Sequence, residues 1–269
     1  MRRIRSEKLI MKKKEVFLII GILSFLCLLS AILFVVFYDY YPVEPRAEQV
    51  EEEAKNDTKN YETIGWIRVQ GTNIDYPVIY APGYDFDGMT NNFAWNEVKT
   101  DEVLNKVNIT GHNITNLSAN PKMASDDSVR FESLMSFIYL DFVKDNKFIQ
   151  YTYNGKDYVY EVYAVSFPEY GDTDVFVEEN FTKEEMKEYI EQSLEDSIFK
   201  FNIDVNENDK LISLITCTRL FGAFSTREIR VDARMVREGE TKVNYGVEKT
   251  SNYDEIDKLM KGGENNEKA

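Results

Sequence analysis

The feature that most restricts this chain lies near its start. From Val16 to Phe37 the sequence VFLIIGILSFLCLLSAILFVVF runs 22 residues without a charge, and a bilayer core of about 30 Å takes about 20 helical residues to cross. A helix apolar on every face needs apolar surroundings throughout, which a soluble core rarely offers. One transmembrane helix over residues 16–37 is therefore expected. Seven basic residues (Arg2, Arg3, Arg5, Lys8, Lys12, Lys13, Lys14) precede it against two acidic ones, Glu7 and Glu15, and such an excess stays on the cytoplasmic side. Residues 1–15 then form a cytoplasmic basic tail, and everything beyond Phe37 lies outside the cell. The sequence that follows, YDYYPVEPR, has no small-residue cleavage site, so the segment is expected to be an uncleaved signal anchor. Tyr38, Tyr40 and Tyr41 suit the outer interface, where an amphipathic ring keeps its body in lipid and its hydroxyl in water.

The whole chain carries 32 basic and 47 acidic residues; without the first 37 positions 25 basic and 45 acidic remain, a formal charge near −20. Nucleic acid is an unsuitable partner for such a surface, because its binding rests on cationic contacts to phosphate. The chain has two cysteines, Cys27 inside the apolar run and Cys217 far beyond it. No disulfide can join two parts of the outer domain, which at roughly 190 residues is large enough to be held by its core. A leftover thiol outside the cytoplasm is worth flagging as reactive.

Residues 38–63 turn acidic and polar, as an exposed helix or a solvated linker would. The folded domain is expected over residues 64–237. WIRVQGTNIDYPVIY (Trp66 to Tyr80) gives two β-rich runs around the turn composition Gly71-Thr72-Asn73, and a third strand is expected at Val103 to Thr110, closed by Gly111-His112-Asn113. FIQYTY and DYVYEVYAV flank Asn154-Gly155, a dipeptide suited to the positive φ angles of a type I′ hairpin. A helix is expected from Phe181 to about Ser197. Thr182 and Glu185 make its capping box, and Met186, Tyr189, Ile190 and Leu194 share a face. Two strands follow, Lys210 to Thr216 and Glu228 to Val236. In the second, Ile229, Val231, Ala233 and Met235 alternate with Glu228, Arg230, Asp232 and Arg234, the pattern of a half-buried strand. Residues 238–269 are polar and read as a mobile tail.

The chemistry-bearing inventory of the outer domain is small. It holds the chain's one histidine, His112, and one cysteine, Cys217. A cysteine attacks as thiolate, with an unperturbed pKa of about 8.5, so a neighbouring imidazole or guanidinium raises its reactive fraction. Zinc wants three or four protein ligands, and neither H-E-x-x-H nor a spaced ligand cluster is present, so no metal or cofactor is expected. A lone histidine or cysteine is more often structural than catalytic. Here the settings argue otherwise: His112 sits on a loop tip between Gly111 and Asn113, and Cys217 ends LISLITC, where a buried strand emerges between Thr216 and Thr218.

LISLITC followed ten residues later by Arg227 resembles the T-L-x-T-C…R signature of sortases, with Ser213 in place of the usual threonine. GWIRVQGTNIDYPV is similar to the opening strands of class B members, NITGHN to their histidine loop, and SVRFESL to the segment after it. The resemblance spans Ile64 to Arg237. It implies a mostly-β fold: an eight-stranded sortase-type β-barrel with an N-terminal helix and a helix between strands six and seven, here preceded by the transmembrane helix. It also implies a cysteine transpeptidase at the surface of a Gram-positive cell, with His112, Cys217 and Arg227 as catalytic residues. Cys217 would attack a short C-terminal sorting motif, of the NPQTN or related NPxTG/SPxTG kind, on a surface protein and form a thioester. His112 would protonate the departing amine and deprotonate the incoming one, a peptidoglycan precursor or cell-wall peptide. Arg227 would hold the oxyanion.

The arginine has rivals. In many class B members it begins the last strand five residues before a small residue, and counting back from Ala233 lands on Glu228, so Arg227 is one position out of register and needs a bulge. Arg230 shares the strand's polar face, and Arg219 lies in the loop after Cys217. Two other functions stay open at this point: a cysteine hydrolase that gives the acyl group to water, and a membrane-tethered binding module without catalysis.

Overall fold

The computed structural model describes residues 20–29, 62–81, 94–113, 130–169, 180–222, 225–240 and 245–266. The chain divides into two units, Met1–Glu44 and Pro45–Ala269. Within the first, residues 20–29 form helix α1, with Ile20, Leu23, Phe25 and Leu28 exposed. The remainder of the 16–37 segment lies outside the described residues, as do residues 38–61 of the helix or linker expected over 38–63; its last two residues, Glu62 and Thr63, begin a strand instead. Among the described residues no helix is long and apolar enough to cross a membrane.

The second unit is built on β1 (Glu62–Val69), β2 (Asp75–Tyr80), β3 (Ala94–Asn96), β4 (Lys106–Gly111), β5 (Phe148–Tyr153), β6 (Lys156–Ser166), β7 (Phe199–Phe201), β8 (Leu211–Cys217), β9 (Glu228–Met235) and β10 (Val247–Lys249). Eight of these close a barrel in the order β1-β2-β3-β4-β8-β9-β6-β5, and β5 pairs back to β1. Pairing is antiparallel except for β2 with β3 and β4 with β8. The expected eight-stranded, mostly-β barrel is thus present. Its interior is filled from alternate positions, among them Ile67, Val69, Val107, Ile109, Ile149, Tyr151, Ile212, Leu214, Val231 and Ala233.

Local chemistry accounts for the joints. Asn154 and Gly155 turn the β5–β6 hairpin with φ of 48° and 70°, the left-handed pair that a type I′ turn requires. A 3-10 helix (Glu132–Ile138) and helix α2 (Leu140–Asp145) precede β5. Between β6 and β7, which are barrel strand six and the strand before barrel strand seven, runs helix α3 (Lys183–Asp196). Thr182 caps it, and both halves of the capping box with Glu185 are formed.

Helix α3 changes the expected burial of the sheet. Met186, Tyr189 and Ile190 pack on Tyr163 and Ala164 of β6 and Leu211 of β8 across the outside of the barrel, while Tyr189 and Ser193 meet Asp232 and Arg230 of β9, which is buried on both faces, not one. The fourth position of the buried stripe is Ser193, whereas Leu194 is exposed. Ser193 donates to the Tyr189 carbonyl and lies 3.4 Å from Arg230 Nη2, a role that leucine cannot fill.

The polar end of the chain also differs from the mobile tail expected over 238–269. Val247–Lys249 pairs with β7, helix α4 spans Tyr253–Asn266, and Tyr245, Val247, Tyr253 and Ile256 are buried in the main core. A few well-spaced apolar side chains tether a segment whose average composition is polar.

Candidate active site

His112 and Cys217 are carried to the same place by the parallel pairing of β4 with β8. The register runs Lys106↔Leu211 to Thr110↔Ile215, and two more steps set His112 beside Cys217. Two hydrogen bonds hold that extension: Thr216 Oγ1 donates to the Gly111 carbonyl at 2.6 Å, and Asn113 Nδ2 donates to the Cys217 carbonyl at 3.1 Å. In β4 the core side chains are Val107 and Ile109, and in β8 they are Ile212 and Leu214. At the opposite parity, His112 and Cys217 belong to the outer wall.

Gly111 makes the close approach possible. A Cβ there would overlap the Phe131 ring, closer than carbon contacts allow, while the Phe131 N–H bonds the His112 carbonyl at 3.0 Å. The imidazole is half-buried and tilted against Trp95, with ring centroids 4.8 Å apart. Burial lowers its pKa, and the positive charge of Arg130 lowers it further. His112 is accordingly neutral at pH 7.

Cys217 is exposed at the end of β8. The protein packed behind its sulfur nevertheless disfavours the thiolate, and with the nearby Glu228 carboxyl pushes the thiol up to about 11; Arg219 pulls weakly the other way. Glu228 is the direct register partner of Cys217 across the β8–β9 pair. The thiol lies 3.8 Å from Glu228 Oε1, and burial lifts this carboxyl to about 7.

The arginines part company. Arg230 is locked inside the wall: its Nε lies 2.9 Å from Asp232 Oδ2 and its guanidinium stacks over the Tyr189 ring. Arg227 stands just before β9 and is half-buried. Its guanidinium covers the Phe221 ring at 4.5 Å and meets Glu169 at 3.3 Å and Glu255 at 3.6 Å. Arg219 donates from Nη1 to the Ser225 carbonyl. The structure thus brings His112 and Cys217 together, adds Glu228 as an unanticipated neighbour, and leaves Arg227 more accessible than Arg230. Among the described residues no group of three His, Cys, Asp or Glu side chains is placed to hold a metal ion.

This constellation can perform acyl transfer: a reachable sulfur nucleophile, an imidazole at the same end of the neighbouring strand, and the Arg219 guanidinium close enough to favour the thiolate. No family model matches the chain. Its sequence is similar to sortase B of Listeria monocytogenes serovar 1/2a, 24% identical over 184 residues, which cover 63% of this chain and 68% of that protein. The structure is similar to Clostridium perfringens sortase B, with a TM-score of 0.54 and 26% identity, covering 70% of this chain and 100% of the other. It is also similar to a Staphylococcus aureus sortase B–substrate complex, with a TM-score of 0.55 and 17% identity, covering 77% and 92%.

Proposed function

We propose, from the premise that the chain belongs to the sortase family, class B, and is a cysteine transpeptidase, that it cleaves a C-terminal sorting motif of a surface protein and passes the acyl group to a cell-wall amine. The observation that carries this is the β4–β8 pairing, which brings His112 and Cys217 to the same end of two neighbouring strands, both at outward-facing positions. At rest both groups are neutral, so moving one proton from sulfur to His112 creates the reactive pair. The thiolate attacks the motif's carbonyl carbon. The new C–S bond and the broken C–N bond leave a thioester on Cys217, and His112 gives its proton to the departing amine. The incoming amine loses its proton to His112 as it displaces the sulfur. Arg227, half-exposed and held by the Phe221 ring and two partly solvated carboxylates, is the oxyanion donor in this scheme.

The test is product analysis with the full-length protein, a panel of sorting peptides and a short peptidoglycan-like amine. An amine-dependent amide product, absent in Cys217→Ala, supports the scheme; a carboxylic acid as sole product assigns hydrolysis instead. Residues 16–37 are the proposed single-pass anchor with the domain outside. The uncharged run, the basic flank and the exposed apolar side chains of α1 support it. Retention in membranes through alkaline carbonate washing is expected, and release by that wash would reject the anchor.

A further inference from the structure

Glu228 has no task in acyl transfer by thiol, imidazole and guanidinium, yet it faces the nucleophile directly. It is 3% exposed. The thiol donates towards its Oε1 at 3.8 Å, and Oε2 is buried without a hydrogen-bond partner among the described residues. Buried carboxylates are ordinarily supplied with donors; Asp232 also has an oxygen without a hydrogen bond but is paired with Arg230, whereas Glu228 has no ion-pair partner among the described residues. We propose that Glu228 is a positioning residue acting through the nucleophile: Cys217 and Glu228 form a thiol–carboxyl dyad in which the thiolate forms readily only while Glu228 is neutral.

The physical reason is repulsion between two anions held 3.8 Å apart on one wall, with no donor on Oε2 to spread the carboxylate charge. Such a pair gives up its protons in two separated steps that belong to the pair. The carboxyl goes first, near 7, and the thiol follows at about 11, raised in part by the charge that Glu228 has acquired. The neighbouring groups do not cancel this. His112, at the end of β4, is kept neutral by burial and by Arg130. Arg219, just past β8, favours the thiolate but is outweighed. Arg227 turns to Glu169 and Glu255, and Arg230, next on the same face, to Asp232. In the acylation step the sulfur therefore loses its proton most easily from molecules whose Glu228 is protonated, and ionised Glu228 keeps the thiol capped in the resting enzyme.

The rate of Cys217 alkylation by iodoacetamide tests this in the full-length protein. Peptide mass spectrometry separates that reaction from alkylation of Cys27. No sorting peptide takes part, so the outcome is independent of whether the transpeptidase scheme holds. Below about pH 7 the wild-type rate should climb tenfold per pH unit, flatten into a shoulder as Glu228 ionises, and climb again at higher pH. Glu228→Gln should show one unbroken rise and react about tenfold faster than wild type near pH 8, since each unit of thiol pKa changes the thiolate fraction about tenfold. A wild-type profile without the shoulder, a shoulder that persists in Glu228→Gln, or a variant no faster than wild type near pH 8 overturns the dyad. The wild-type profile alone decides the matter where Glu228→Gln does not fold.

Discussion

Two acidic side chains stand on the same outer face of β9 and live in opposite surroundings. Asp232, at mid-strand under helix α3, has its charge balanced in place: its Oδ1 accepts from Tyr189 Oη at 2.8 Å and from Ser213 Oγ, and its Oδ2, which accepts no hydrogen bond, lies 2.9 Å from Arg230 Nε in an ion pair. Glu228, at the open end of the strand, likewise has one oxygen without a hydrogen bond, but it faces the Cys217 thiol and has no ion-pair partner among the described residues. Both are almost fully buried. The difference teaches which end of the β8–β9 pair is structure and which is chemistry. A carboxylate that stabilises a wall is held by a counter-ion; one without a counter-ion beside a nucleophile keeps a pKa near neutrality and a charge that is free to change.

The largest effect that sharpens this contrast belongs to Asp232→Ala. It leaves Arg230 charged and buried without its counter-ion, which costs about 3–5 kcal/mol for pairs of this kind, read as a lowered urea midpoint. A loss of less than about 1 kcal/mol would show the cluster to be solvated and the contrast misplaced. Arg227→Ala comes next, with kcat down by about 10²–10³ as for other oxyanion donors. Its stability should change by less than about 1 kcal/mol, since its ion pairs are partly exposed. Near-normal turnover in Arg227→Ala beside an inactive but folded Arg230→Ala would shift the oxyanion role to the mid-strand cluster. The smallest effect is the pH dependence of stability at Glu228. Its pKa in the folded chain, about 7, lies above the ordinary 4.5, so its contribution is full below about pH 4.5 and is lost as pH rises through 7. Across that window wild type should lose roughly 3 kcal/mol relative to Glu228→Gln, from the 1.36 kcal/mol that one pKa unit carries. Parallel pH–stability curves for the two proteins would mean that the carboxyl is already solvated.

Much of the barrel is written in short-range signals. Asn154-Gly155 between two alternating runs specifies the β5–β6 hairpin, Thr182 and Glu185 specify the start of α3, and LISLITC specifies a buried strand with an accessible end. His112 and Cys217 were legible for the same reason: each sits where an apolar strand gives way to polar loop residues. What was not legible depends on pairing between distant segments. Glu228 becomes the neighbour of Cys217 through the β8–β9 register, which no local pattern encodes, although counting back from Ala233 had already marked position 228 as anomalous. The buried outer face of β9 exists because Tyr189 and Ser193 come to it from another element. In the C-terminal segment, β10 is three residues long, and the apolar spacing of Tyr253, Ile256, Leu259 and Met260 is masked by the charged residues between them.

The most direct test of the central claim, that the thiol at the end of β8 is the acyl carrier, is intact-protein and peptide mass spectrometry after brief incubation of the full-length protein with sorting peptides. A hydroxylamine-labile adduct is expected on Cys217, with the mass of the peptide fragment up to the cleaved bond, absent in Cys217→Ala and strongly reduced in His112→Ala. Peptide cleavage that continues in Cys217→Ala, or an adduct that forms on another residue, would contradict it.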